Sequence, residues 1–339
     1  MSSSEYIKNY PTTLVPILFS ATNYLQATGS PGAFTLFRDI CLPIFIMIGA
    51  GWLFDRKFRL DLDTLIKLNI YFFVPAFIFV RVTQSPLTGD LALRIVAFTI
   101  SIIASMGLLS WGYARVRKLP SASRRALQLS TMFYNSGNYG IPLMALAFPE
   151  IAALQVFVLM TMNISTFSLG TLLAASGAEV VEGKARTPWG VLLRQPSLYA
   201  IALALCARGL GWNEAIQKTF IWEPLVYTER ALISIALFTL GVQLSKTQPP
   251  RFEPALTWAL IQRLLIGPLI ALALVPWFGF DAQVSALLIL GAGTPTAINT
   301  ALLAHEFQAD ARFAMGVVFY STLFSLLSIT LILYLLNRC

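Results

Sequence analysis

The sequence predicts an all-α polytopic membrane protein of ten transmembrane helices, arranged as two five-span halves in inverted repeat. Three observations carry this. Of 339 residues, 57% are apolar and only 12% charged, about half the charged share of a soluble domain. Mean hydropathy is +0.71. Ten apolar segments, each near the roughly 20 residues that cross a bilayer, leave about a third of the chain for termini and connections. A separate soluble catalytic domain is thereby excluded, and a DNA-binding protein or secreted scaffold fits no better. The net charge of +8 is read as loop Lys and Arg setting membrane orientation, not as a nucleic-acid footprint. Cys41, Cys206 and Cys339 are scattered and odd in number, so neither a disulfide framework nor a metal site is expected.

Taken in order, residues 1–33 form an N-terminal extension. Leu14 to Leu25 is apolar but only half a span long, and Pro11 and Pro16 interrupt its start. A signal peptide would use Lys8 as n-region and Ala27–Ser30 as cleavage site. Glu5 and a single lysine make a weak n-region, which favours an interfacial helix on the outer face. The ten spans fall at 34–54, 64–83, 92–113, 124–148, 151–175, 190–210, 225–245, 254–277, 283–305 and 312–336. The polar stretch at 176–189 reads as a cytoplasmic loop, and 245–254 as a second break.

Alternate connections differ in basic charge. One set holds Arg56, Lys57, Arg59, Arg115, Arg117, Lys118, Arg124, Arg125, Lys184, Arg186, Arg194, Lys246, Arg251 and Arg312. The other holds Lys8, Arg38, Arg81, Arg94, Arg208, Lys218, Arg230 and Arg338. The richer side is expected to be cytoplasmic, with both termini outside, in the plasma (inner) membrane of a prokaryote. The halves echo each other. Pro43 opens a run closed by Arg56, and Pro196 one closed by Arg208. Phe148-Pro149-Glu150 closes the fourth span as Phe307 to Asp310 closes the ninth. Five spans per half is odd, so the second half is inverted, a transporter signature with the site near the midplane.

The fourth and ninth spans are expected to be broken. The fourth reads Tyr134-Asn135-Ser136-Gly137-Asn138-Tyr139-Gly140-Ile141-Pro142, and the ninth Gly291-Ala292-Gly293-Thr294-Pro295-Thr296-Ala297-Ile298-Asn299. Pro142 deprives the Asn138 carbonyl of its helical donor, and Pro295 that of Gly291. Gly137, Gly140 and Gly293 lower the cost of leaving helical geometry. Thr294-Pro295 reads as an N-cap followed by Pro at the first helical position. Unwound backbone inside hydrocarbon must line a cavity or be buried in protein. Half-helix N-termini at the midplane would then present N–H groups to an anion such as a carboxylate. The plainer alternative is a pair of passive kinks, with Asn135 and Asn138 as interhelical glue.

These residues resemble the auxin efflux carrier family, whose bacterial members include malate- and malonate-permease-like proteins. Asn135, Gly137, Gly140, Pro142 and Leu143 match one family motif, and Pro295, Thr296, Ala297 and Asn299 match its partner. "LPIFIMIGAGWLF" and "FFVPAFIF" are weaker echoes, and the resemblance covers about 34–338. It implies a homodimerising scaffold of spans 1, 2, 6 and 7 (34–83 and 190–245). It implies a mobile transport domain of spans 3–5 and 8–10 (92–175 and 254–336), with the fourth and ninth spans crossing at the substrate site. The family's crossover asparagine maps to Asn135. The acid–lysine pair of plant carriers is replaced by Thr99 and Ile103, which argues against auxin itself.

Substrate-binding candidates are Asn135, Ser136, Gly137, Asn138, Thr294, Thr296 and Asn299, with Thr161, Asn163 and Tyr320 (beside Ser321) flanking them. Gly140, Pro142, Gly293 and Pro295 break the helices. Arg263, a charge at depth in the eighth span, is a functional group by default, but its place near a span end favours snorkelling to the cytoplasmic interface. His305 beside Glu306 reads as a helix end, and the Arg38/Asp39 and Glu229/Arg230 neighbours as interfacial. No hydrolase triad, Walker loop or metal cluster is legible, so neither an enzyme nor a cofactor is expected. The reading is an elevator-type carrier exporting a small organic anion. A Na⁺- or H⁺-coupled symporter remains an alternative, with Ser136, Thr294, Thr296 and Asn299 as cation ligands. A non-transporting receptor or scaffold and a channel are further rivals.

Overall fold

The computed structural model describes residues 32–84, 89–176, 195–248 and 250–338. The described part is helical, in thirteen helices. They are α1 (Ala33–Phe58), α2 (Leu62–Gln84), α3 (Gly89–Val116), α4 (Ser121–Met132), α5 (Gly140–Ala147), α6 (Ala152–Ala175), α7 (Pro196–Gly209), α8 (Asn213–Gln217), α9 (Trp222–Lys246), α10 (Pro254–Phe278), α11 (Ala282–Ala292), α12 (Ile298–Glu306) and α13 (Ala311–Arg338). Seven of them, α1, α2, α3, α6, α9, α10 and α13, are long and apolar enough to cross a membrane. The fourth and ninth predicted spans are each two short helices, α4 with α5 and α11 with α12. The sixth is represented by the shorter apolar α7. The expected helix in 1–33 and most of the 176–189 loop lie outside the described residues.

Local chemistry sets the helix ends. Asp61 caps α2 by accepting from the Asp63 and Thr64 amides at 3.3 and 3.2 Å. Asp281 caps α11 by accepting from the Val284 amide at 2.8 Å. These are the expected side-chain substitutes for missing helical acceptors. Gly279 closes α10 at φ 60°, where an L side chain would be strained. Four helices carry a π turn, at Phe37–Cys41, Asn69–Phe73, Thr166–Gly170 and Gln262–Ile266. Each inserts one extra residue per turn and re-aims the neighbouring side chains.

Helix contacts are densest within two sets, and the start of α1 also packs on α13. In the first, α9 lies along α1 and α2, and α7 along α2. The α1–α9 contact is backbone to backbone: a Cβ on Gly51 would fall 2.0 Å from Phe238 O, and one on Gly241 1.9 Å from Ile48 O. Small residues permit this close approach where burial from lipid supplies no driving force. In the second group, α3 packs on α4, α6 and α10, and α13 on α4 and α12. A separate apolar cluster joins α2, α7 and α9 to α5 and α6 through residues such as Phe77, Ile78, Ile141, Val156 and Leu159.

Two ionic features differ from the sequence expectation. Glu229 is buried and pairs with Arg81 of α2 at 2.7 Å, not with its neighbour Arg230. A carboxylate inside a span finds a cation on the facing helix, since isolation there is costly. Arg125, counted as a loop charge, is 4% exposed and donates to the carbonyls of Ala174, Phe307 and Gln308. It ties the C-terminal ends of α6 and α12, where helix dipoles favour a cation. Arg38 and Asp39 pair at 2.6 Å on the surface, and His305 and Glu306 are exposed at the end of α12, as the sequence suggested.

Candidate functional site

α4 ends at Met132 and Phe133 turns extended; helix resumes at Gly140. α11 ends at Ala292, and α12 begins at Ile298. The two gaps lie against each other. The Asn135 amide donates to Pro295 O at 2.7 Å, and the Ala297 amide donates to Phe133 O at 3.0 Å. Together they make an antiparallel bridge between Tyr134 and Thr296. Each break thus satisfies the other's backbone, which irregular chain at membrane depth requires.

The details of the breaks depart from the sequence reading in two ways. Thr294 does not cap α12; Ala297 occupies that position, without a side-chain cap. Thr294 instead donates its hydroxyl at 2.7 Å and its amide at 3.0 Å to Gly291 O, the carbonyl that Pro295 leaves without a donor. Gly140 and Gly293 have no left-handed backbone; they make room. A Cβ on Gly140 would lie 2.6 Å from Gln155 Nε2, and one on Gly293 2.5 Å from Ile332 Cδ1. The space beside Gly140 lets Gln155 donate to Ser136 O at 2.9 Å, bracing the fourth break from α6.

One face of the crossing opens on a cavity of about 100 Å³. Since a water needs about 10–15 Å³ by such a measure, it holds several waters or a small solute. Asn135, Ser136, Gly137, Asn138, Asn163 and Asn299 all line it. The four asparagine side chains have no hydrogen-bond partner among the described residues, and Asn135 is only 7% exposed. Four convergent amides offer eight N–H donors and four carbonyl acceptors. The N-terminus of α12 adds backbone donors: the Ile298 and Asn299 amides lie in the first turn, where no intrahelical acceptor reaches them, and both residues border the cavity. The N-terminus of α5 is less open, because its Gly140 and Ile141 amides donate to Asn135 O and Gly137 O.

The other four candidates sit elsewhere. Thr294 and Thr296 are fully buried, and the Thr296 hydroxyl donates to Ser130 O at 2.8 Å while its amide donates to Ser321 Oγ at 3.1 Å. Thr161 donates to Phe157 O within α6. Tyr320 reaches Pro250 O at 3.1 Å, away from the cavity, with its ring 4.4 Å from that of Phe252. Thr99 donates to Ile95 O in its own helix, and Ile103 is buried, so no ion pair stands there.

Sequence reasoning missed the far wall. Asn69 of α2, Gln243 of α9, and Gln195 and Ser197 at the start of α7 also line the cavity. Asn69 is 2% exposed, donates to Thr239 Oγ1 at 3.2 Å and leaves its carbonyl oxygen unpartnered, as does Gln243. The signal was present: single Asn or Gln residues inside otherwise apolar spans are functional hypotheses by default. Arg263 was also misjudged. It lies nine residues into α10, fully buried, and donates to Thr131 O at 2.8 Å and to Ala292 O, with its guanidinium 5.0 Å from the Tyr134 ring. At 1.5 Å per residue that is about 14 Å of helix, near the middle of a hydrocarbon core about 30 Å thick. Snorkelling is overturned: the side chain turns inward to the carbonyl ends of both α4 and α11.

Residues 39–333 match the family described as membrane transport protein. An uncharacterized transporter of Methanothermobacter thermautotrophicus is 27% identical over 274 residues, 80% of this chain and 88% of the relative. One of Methanocaldococcus jannaschii is 24% identical over 306 residues, 86% and 96% of the two chains. A Rhizobium meliloti protein named "Putative malonate transporter" is 24% identical over 326 residues, 88% and 95%. With the paired breaks, their antiparallel contact and a match across nearly the whole helical part, the chain belongs to this membrane transport protein family, that of the auxin efflux carriers.

Proposed function

We propose that the protein carries a small carboxylate, a monocarboxylate or dicarboxylate, across the membrane by alternating access. The observation that carries this is the set of four unpartnered asparagine amides on one small cavity at the contact of two broken helices. Amide and backbone N–H donors suit a carboxylate, and among the described residues no fixed carboxylate lines the cavity to repel it. The name of the Rhizobium relative points to the same chemical class.

The two packing groups supply the moving parts of this reading. α1, α2, α7 and α9 act as a dimerising scaffold, and α3–α6 with α10–α13 slide against it in an elevator-like shift. The cavity lies between the groups, with Asn69 and Gln243 on the scaffold side and the asparagines of the breaks opposite. Its scaffold wall comes from the ends of α2, α7 and α9 that bear the denser basic connections, so with that side cytoplasmic the site faces inward. Without ion coupling, an anion moves down the membrane potential, negative inside, and is exported. About 2.3 kcal/mol per charge per 100 mV supports roughly a 50-fold gradient. Sodium coupling is less well supported, since of the four proposed cation ligands only Ser136 and Asn299 line the cavity.

A thermal-shift screen of organic acids on the purified protein tests the reading. A true substrate binds the folded state and raises the melting temperature by mass action. Small carboxylates are expected to stand out, with malonate among the first to try. A uniform absence of shifts, together with no uptake into proteoliposomes, would favour a receptor or scaffold.

A further inference from the structure

Arg263 has no role in the cavity lining, yet its placement is constructed. The π turn at Gln262–Ile266 brings two consecutive residues inward, both fully buried. Gln262 donates to Met106 O at 2.7 Å and anchors α10 on α3. Arg263 then reaches between the breaks, and Gly267 one turn on leaves the room: a Cβ there would lie 2.7 Å from Arg263 Nη2 and 3.0 Å from Ala292 O. Its partners are carbonyls and an aromatic ring, not a carboxylate. The guanidinium meets the C-terminal ends of α4 and α11, each equivalent to about half a negative charge. Tyr134 separates it from the cavity, with one face toward the guanidinium and its residue on the lining.

We propose that Arg263 is the fixed countercharge of the transported anion and travels with the crossing helices. This rests on the carrier reading above. Helix dipoles move as whole dipoles and carry no net charge through the field, so the integer charge at the crossing is the +1 of Arg263, which stays protonated in proteins. Loaded with a monoanion, the crossing is neutral overall and its translocation does not sense the membrane potential. Empty, it carries +1, and its inward return is driven by a negative interior. The sum over one turnover is still one negative charge exported, but the voltage-dependent step is the empty return. A dianion leaves the loaded crossing at −1, so its translocation is voltage-dependent.

Counterflow isolates the loaded step, because substrate exchanges without an empty return. The experiment measures counterflow of labelled malonate (dianion at neutral pH) and its monomethyl ester (monoanion) in proteoliposomes, with potentials imposed by a potassium gradient and valinomycin. A step of about 100 mV acting on one charge changes the rate about sevenfold for a midway barrier, the square root of about 50-fold. The expected result is ester counterflow unchanged by potential and malonate counterflow changed several-fold. R263Q is expected to make ester counterflow potential-dependent, and R263K to keep it independent. Potential-dependent ester counterflow in the unaltered protein would overturn the proposal, as would a folded R263Q protein whose ester counterflow stays independent. If R263Q does not fold, the comparison of the two acids decides alone. Absence of saturable counterflow with these and with the acids found by thermal shift would instead refute the carrier reading itself.

Discussion

The two breaks lie against each other at one crossing, yet they have been put to different uses. The fourth, from Phe133 to Tyr139, is the longer and turns Asn135 and Asn138 toward the cavity with their side chains unpartnered. The ninth, from Gly293 to Ala297, turns its hydroxyls inward to protein carbonyls, Thr294 to Gly291 O and Thr296 to Ser130 O. What it offers the cavity is the open end of α12 and Asn299. One break supplies side-chain donors, and the other supplies backbone donors and holds the crossing together. Buried polar groups with partners stabilise and specify a structure, while those left without partners beside a cavity are available to a ligand.

Substitutions can separate the two roles. Asn135→Ala should have the largest effect on binding. Removing a donor to a charged acceptor costs about 1.5–3 kcal/mol, or roughly 10- to 150-fold in affinity, while the melting temperature of the unliganded protein stays near that of the parent. A titration with the best carboxylate from the thermal-shift screen reads this. Thr296→Val should do the reverse. It strands the buried Ser130 carbonyl, so stability is expected to fall by about 1–3 kcal/mol, with affinity in the surviving folded protein changed by less than threefold. Equal losses of affinity in the two variants would erase the distinction between the breaks.

Much of this was legible in the chain. Pro142 and Pro295 within apolar runs, each beside glycines and polar residues, located both breaks, and uninterrupted apolar length located the long helices. The backbone contact between Tyr134 and Thr296 was not legible from residue patterns, because it joins segments about 160 residues apart through main-chain groups that every residue has. Four π turns were equally silent, since one extra residue per turn leaves hydropathy unchanged. That is why Arg263 was misjudged. Its depth could be counted, but its direction depended on a turn that the sequence does not announce. Thr296 was misassigned for a related reason: a hydroxyl in a polar cluster looks the same whether it faces a cavity or Ser130.

A smaller effect sharpens the comparison from the side of α6. Gly140→Ala would push against Gln155 Nε2 and weaken its bond to Ser136 O, loosening the fourth break. Affinity is expected to fall about two- to twelvefold, the equivalent of one neutral hydrogen bond of about 0.5–1.5 kcal/mol. Titration of the same acid measures it, and Gln155→Ala should reproduce the loss. The smallest effect belongs to Tyr320→Phe. Its hydroxyl donates to Pro250 O and neither residue lines the cavity, so affinity should not change, while stability falls by about 1 kcal/mol or less.

The central claim is that the unpartnered amides of the fourth break, Asn135 foremost, hold a carboxylate. Equilibrium binding of labelled malonate to the purified protein, side by side with Asn135→Ala and Thr296→Val at matched folded fractions, tests it most directly. The account predicts saturable binding by the parent, binding within threefold of it by Thr296→Val, and at least tenfold weaker binding by Asn135→Ala. Parent-like binding by Asn135→Ala, with the variant folded, would contradict it.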